Sequence, residues 1–408
     1  MSNRSLKNGE NISPSNSSQP NSNRRLKKAV SLEGFVCLLV LVVFFGVLGY
    51  KMGFINAINT LLNTAHDLLM NTVFRIMAIA VVAGAIGSIL TEFGVISLAN
   101  KILSPLMEPL YGLPGASVIS VFTTYLSDNP AVLTLAEDRR FRRYFKKYQL
   151  PALTNLGTAF GMGLIVSIFM MGIPSPSGES FILPALIGNI GAVIGSIVSV
   201  RLMLMHTKKV YGTEEEAEGF NGDDYDIVEF REVREGNIAE RLMDAMLEGG
   251  ASGVNVGVAI IPGVLIICSI VMMLSNGPSE AGTYTGAAYE GIELLPWIGE
   301  KLSFIIKPLF GFSSAAAISV PITALGAAGA AIGIAANMVR DGLAHGHDVA
   351  VFTAMCMCWS GYLSTHVAMM DGLNLRNLTG RAIFSHTVGG ICAGIAANWI
   401  YKLIMIIM

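Results

Sequence analysis

Ser127-Asp128-Asn129-Pro130 stands inside an otherwise apolar run. Pro130 lacks the N–H a helix needs and clashes with the turn before it, so a helix is expected to break just ahead of it. Carbonyls near Thr124 to Leu126 then lose their partners, and Asp128 adds a carboxylate. In hydrocarbon such groups must be met by protein, water or a ligand, which is why broken helices in transporters mark binding sites. An intramembrane carboxylate costs at least ~2.5 kcal/mol unless paired or wet. The alternative is that the span ends here and Asp128 caps the helix entering the next loop. On the first reading Asp128 and Asn129 face a hydrated cavity whose opposing wall runs from Thr323 to Asn337, across the small-residue stretch Gly326-Ala327-Ala328-Gly329. Asn155 and Thr158, one helical turn apart, share a face and are expected to bond either solute or a neighbouring helix. The expected solute-contacting set is therefore Ser127, Asp128, Asn129, Pro130, Asn155, Thr158, Thr323 and Asn337.

Histidines are the other candidates. His386, in an apolar run near Arg381, is placed for a proton relay or for a helix–helix hydrogen bond. His345 and His347 with Asp341 and Asp348 could ligate a divalent ion, but without rigid spacing the favoured reading is an exposed polar loop, and no metal site is expected. Gly172 to Ser180, with two prolines and Glu179, reads as a turn between spans. The five cysteines all lie in apolar stretches and read as packing residues rather than a disulfide framework. No P-loop, dinucleotide turn, HExxH or Gly-x-Ser-x-Gly occurs, so no enzyme and no cofactor is expected.

The elements that must position these residues are membrane helices. The 408-residue chain is 52% hydrophobic and 14% charged, against about 25% charged for a soluble protein. Apolar runs such as Leu153 to Met171 match a bilayer's hydrocarbon thickness. They are continuous rather than alternating, which excludes a β-barrel. The expected fold is an all-α polytopic membrane protein with about 9–11 membrane segments: 32–50, 72–91, 96–113, 115–136, 150–172, 181–205, 251–275, 298–311, 314–337, 349–370 and 382–407. Residues 1–30 lack apolar side chains and are expected to form a disordered cytoplasmic tail, with Arg24, Arg25, Lys27 and Lys28 before a retained first helix. Two membrane halves, 31–206 and 241–408, flank an acidic loop at 207–240.

Six cations and two acids between Glu137 and Gln149 put that loop in the cytoplasm. An even number of crossings must precede it, and 96–113 is taken as the fourth, with the amphipathic stretch 54–71 as the alternative. The same count puts 207–240, Arg376 and Arg381 inside and His345 outside.

At an offset of 199 residues, nine of the eighteen positions from Pro109 to Leu126 are identical to Pro308 to Leu325. The chain thus reads as two related halves, inverted on the topology just derived, an architecture in which rocking one half on the other exposes a central site to either side in turn.

A Gly- or Pro-containing apolar helix, then a short lysine-bearing helix ending Pro-Leu-Tyr/Phe-Gly, then another apolar helix, at 72–136 and again at 251–337, resembles the nucleoside recognition, or Gate, domain. That family includes spore maturation proteins A and B, paired repeats of ferrous iron transporter B and relatives of concentrative nucleoside transporters. The resemblance implies a secondary transporter or facilitator of a small polar solute, nucleoside-like or other, in a bacterial cytoplasmic membrane. Its alternative is a non-transporting partner in an assembly or export complex, like the spore maturation proteins. Expected partners are the lipid bilayer, the solute and a coupling ion, proton or sodium, with a homo-oligomer open. The net charge of −2 points to no nucleic acid.

Overall fold

The computed structural model describes residues 28–129, 131–218, 226–279 and 281–407. Pro130, nearly all of the expected tail and part of the acidic loop lie outside them. Among the described residues there is no β-strand, only an isolated bridge between Lys146 and Glu216. The protein is an all-α polytopic integral membrane protein. Six described helices are long and apolar enough to cross a bilayer: α1 (Leu32–Met52), α2 (Phe54–Glu92), the pair α6 (Leu150–Thr158) and α7 (Gly163–Met171), α8 (Ile182–Tyr211), α9 (Ile238–Ser275), and α16 (Thr379–Ile407) with the turn before it. Between them lie α3 (Val95–Tyr111), α4 (Ser117–Leu126), α5 (Ala131–Glu137), α10 (Leu294–Lys301), α11 (Ser303–Phe310), α12 (Ser319–Ala324), α13 (Ala328–Arg340), α14 (Gly346–Cys358) and α15 (Tyr362–Gly372).

Contacts divide the chain after Val47. The first unit's described part is most of α1, whose Leu38, Leu39 and Val42 are exposed, as suits a helix facing lipid. The second unit holds the remaining elements.

Two expectations about crossings change. The stretch 54–71 is neither a separate crossing nor a surface helix: it continues through a π-helical turn, Leu68–Val73, into the rest of α2. The stretch 96–113 is α3, with Pro105 and Pro109 inside it and only 17 residues, and it is not among the six. Only α1 and α2 then precede the basic loop. Two crossings are as even as four, so the expected side of the basic loop does not depend on α3. For His345 and Arg376 to lie on opposite sides, the pair α14–α15, which repeats α6–α7 at the 199-residue offset, must cross as well.

The repeat extends well beyond the eighteen aligned residues. α3 begins and ends 199 positions before α10 and α11 do, and left-handed residues recur at the same offset: Gly94 and Glu293, Gly112 and Gly311, Met162 and Gly361. Backbone conformations that disfavour most side chains are costly to keep by accident. The repeat-equivalent α8 and α16 run antiparallel, since Gly191 lies against Ala393 and Ala397 while Gly195 lies against Gly389. α2 and α9 are likewise antiparallel: Gly84 meets Gly249, Ala80 meets Gly253, and Met77 meets Gly257. These partners are glycines because the two backbones touch, the small-residue packing that membrane helices use in place of a hydrophobic driving force.

The basic loop and the acidic insert lie together. Arg139 and Arg142 pair with Glu218 at 3.1 and 3.7 Å, Arg143 with Asp226 at 3.6 Å, Lys147 with Glu215 at 2.7 Å, and Lys146 with Glu216. Elsewhere the loop 276–293 rests on α2, where Asn56 and Asn63 donate to Tyr284 and Gly286 carbonyls and Thr64 accepts from the Tyr289 N–H. Glu290 in that loop is buried, which by itself would raise its pKa. The Thr285 hydroxyl and the amides of Thr285 and Gly286 outweigh this and hold the carboxyl below its usual range.

Candidate functional site

Four elements stop and restart within the protein: α4–α5 at 127–130, α6–α7 at 159–162, α12–α13 at 325–327 and α14–α15 at 359–361. The breaks meet one another. Asn129 Nδ2 donates to the Ser360 carbonyl at 2.5 Å, so the first break touches the fourth. A Cβ on Gly161 would fall 1.4 Å from Asn129 Oδ1, so the first break also lies directly on the second. On the other side the Gly361 N–H donates to the Ala324 carbonyl at 2.9 Å, and its Cα faces Gly326, joining the fourth break to the third. Asn129 is 2% exposed and its Oδ1 has no partner. Thr158 Oγ1, from the end of α6, is also buried and unpartnered. A buried amide oxygen and a hydroxyl left unmet cost free energy unless something else bonds them.

The candidates named from sequence fall into separate places. Ser127 and Asp128 stand at the first break: Asp128 is half-buried and accepts from the Asn129 N–H at 2.7 Å, and Ser127 Oγ donates to the Thr123 carbonyl. Asn155 is spent on helix packing, donating to Ser199 Oγ at 2.9 Å and to the Ala382 carbonyl at 3.1 Å. Thr323 donates to the Ser319 carbonyl within its own helix. Asn337 lines a cavity beside the loop 276–293. What faces Asn129 is thus Ser360 and Gly161 rather than the stretch from Thr323 to Asn337.

His386 is fully buried. Its Nε2 meets the Cys358 carbonyl, which only an N–H can serve, so Nδ1 is left to accept from Ser199 at 2.9 Å. Both nitrogens are satisfied in the neutral ring, and the chain Asn155–Ser199–His386–Cys358 ties α6, α8, α16 and α14 together. The polar cluster at 341–348 is an exposed loop only in part: Asp341 and His345 are exposed. Asp348 is 0% exposed and accepts from Ser313 N and Oγ and from the His345 N–H, while His347 bonds Asn398. Glu179, from the proline-rich turn, accepts from the Gly346 N–H where α14 begins. Among the described residues no three His, Cys, Asp or Glu side chains are grouped to hold a metal.

Sequence reasoning missed Ser360, Gly161 and Gly361. No proline marks those breaks. The signal was the repeat itself, since Gly161-Met162 lies 199 residues before Ser360-Gly361.

Two cavities open in the protein, the first of which reaches the first break at Leu126 and Ser127. One, about 530 Å³, is lined by Ser88 and Thr91 of α2, Asn100 of α3, Thr123 of α4, Ser127 and residues of the segment 227–232. The other, about 620 Å³, is lined by Ser275 of α9, Glu290, Ser319 and Asn337. α9 touches the first at Ser252 and the second at Met272. Twenty residues of helix span about 30 Å, the thickness of a bilayer's hydrocarbon core. The cavities therefore lie toward opposite membrane faces.

No family model matches the chain, and no curated protein does. Solved structures do. The chain is similar to CNTnw, a concentrative nucleoside transporter. Two engineered variants in an outward-facing state match at 15% and 14% identity with TM-scores of 0.54 and 0.53, covering 91% of this chain and 85% and 86% of theirs. The inward-facing substrate-bound state matches at 13% identity and a TM-score of 0.51, over 91% and 85%. The fold is thus similar to that of CNTnw. None of these matches carries a spore-maturation name.

Proposed function

We propose that the protein is a secondary transporter or facilitator of a small polar solute, with its site where the four helix breaks meet. The observation that carries this is the bond from Asn129 to Ser360. It joins broken helices from opposite halves of an antiparallel repeat, between cavities that approach from opposite faces. Structural neighbours that include both outward- and inward-facing states support the reading. In it, Asn129 Oδ1, Thr158 Oγ1 and the ends of α4 and α6 serve the solute or a coupling ion, proton or sodium. Asp128 supplies charge beside them. The two membrane halves are 31–206 and 241–408, with Gate-like repeats at 72–136 and 251–337 and the acidic segment 207–240 between them.

The experiment is a ligand-induced thermal-shift screen of detergent-purified protein against nucleosides, amino acids, organic acids and metal ions, followed by uptake of the hit into proteoliposomes. Asp128→Asn is expected to abolish uptake, or its pH or ion dependence, with folding retained. The amide oxygen can still accept from the Asn129 N–H, and only the charge is gone. An unchanged uptake rate removes Asp128 from the mechanism. Loss of folding makes it a helix cap.

The pairing of basic loop with acidic insert supports a cytoplasmic side for both, in a bacterial inner membrane with the N-terminus inside. Single cysteines at Arg142, Thr213 and Asn377 should label from the cytoplasm, and one at His345, which is exposed, from outside. Labelling of 142 and 345 from one side would refute the arrangement.

A further inference from the structure

We propose that the segment 226–241 is a clasp across the 530 Å³ cavity, hinged on Glu92 and released from the basic loop by ionic strength. Ile227, Val228, Phe230, Arg231 and Glu232 form one wall of that cavity. Its other walls come from the α2–α9 pair, from α3, and from α4, which carries the first break. The clasp is fastened to α2 on one side and to the basic loop that follows α5 on the other.

The fastenings differ in kind. On the α2–α9 side, Glu92 is 4% exposed and receives Arg234 Nη1 at 2.6 Å and Arg241 Nε at 2.7 Å. Arg231 Nε adds a bond to the Glu92 carbonyl at 3.3 Å. On the other side the partners belong to the loop that follows α5. Glu232, whose side chain is 77% exposed, pairs with Arg140 at 3.2 Å; Asp226 pairs with Arg143 at 3.6 Å and accepts from the Tyr144 hydroxyl. Buried pairs are screened little by salt, whereas exposed ones are largely lost when the screening length falls below their separation. Added salt should therefore free the clasp from the basic loop first and leave it attached at Glu92.

Acid is the weaker lever. The Tyr144 hydroxyl bonded to Asp226, and the Arg140 guanidinium bonded to the neighbouring Asp138, hold both carboxyls below their usual range. A lowered folded-state value gives a contribution that is complete above the unfolded value of about 3.9 and lost only as pH falls through the lower one. Between pH 5 and 8 the Asp226 fastening is intact, so acid in that range does not release it.

The test reads cavity access and needs no solute, so its failure is separable from failure of the transport reading. Thr123→Cys, which lines the cavity, is placed in a chain with Cys37→Ser and Cys392→Ser and labelled with a maleimide in detergent. Raising NaCl from roughly 0.01 M to 1 M shortens the screening length from about 30 Å to about 3 Å. Labelling should then quicken by roughly tenfold, the population change expected from losing the exposed Glu232 pair and the half-exposed Asp226 pair. Asp226→Asn with Glu232→Gln should label at low salt as fast as the parent does at high salt, with no further response. A salt-independent rate in the parent, or a neutralised variant that keeps the parent's salt response, would overturn the proposal.

Discussion

Gly161→Ala is expected to destabilise the protein by about 1–3 kcal/mol, the usual cost of forcing an atom into a filled site, and to abolish any solute-induced thermal shift. The added methyl would fall 1.4 Å from Asn129 Oδ1, so Asn129 must move and its bond to the Ser360 carbonyl must break. The argument predicts a coupling as well as a cost. Asn129→Ala alone loses one bond and removes an unmet oxygen, a change of about 0.5–1.5 kcal/mol. With Asn129 already truncated, Gly161→Ala has little left to strike, and most of its penalty should vanish. A double-mutant cycle on apparent melting temperature measures this. Additive penalties would mean that the two breaks do not touch as described.

The same pair of residues shows what sequence could and could not give. The break at Asn129 was legible because Pro130 and Asp128 are local signals, each with a stereochemical or electrostatic reason to interrupt an apolar helix. Its partners were not, because Gly161 and Ser360 matter through long-range packing. A glycine in a membrane helix reads equally as close packing or as a hinge. The repeat was the one route to them, and it was applied only to the segment where side chains still match. Beyond that segment it is the backbone that repeats: Met162 and Gly361 share a left-handed conformation with unrelated side chains.

Charge was legible in sign and side but not in connection. Six cations marked the loop 137–149, yet their pairing with Glu215, Glu216, Glu218 and Asp226 joins positions about seventy to eighty apart. The expectation of an exposed loop at 341–348 holds for Asp341 and His345 and fails for Asp348. Asp348 satisfies three donors, the outcome expected when a carboxylate must be desolvated. The stretch 54–71 looked amphipathic because its polar face carries Asn56, Asn63 and Thr64, which bind the loop 276–293 rather than water.

If α2 and α9 form the beam against which the broken helices move, their crossing should tolerate almost no added volume. Gly253→Ala places a methyl 2.3 Å from the Ala80 carbonyl oxygen and 2.5 Å from the Val81 Cα. These are backbone atoms, so no side chain can swing aside and the helices must part. Gly250, one turn back on the same helix, would meet the Val81 side chain at 3.6 Å and its carbonyl oxygen at 3.9 Å, ordinary contacts. The two substitutions share chemistry, helix and depth, and both gain about 1 kcal/mol of intrinsic helix propensity over glycine. Gly253→Ala should nevertheless lower stability by about 1–3 kcal/mol, while Gly250→Ala should be neutral or stabilising. Thermal unfolding in detergent compares them directly. Equal effects at 250 and 253 would mean that the α2–α9 contact is looser than its glycines indicate. A loss at 253 alone would place the rigid element of the protein at this crossing and leave α4–α5 and α12–α13 as the parts free to move against it.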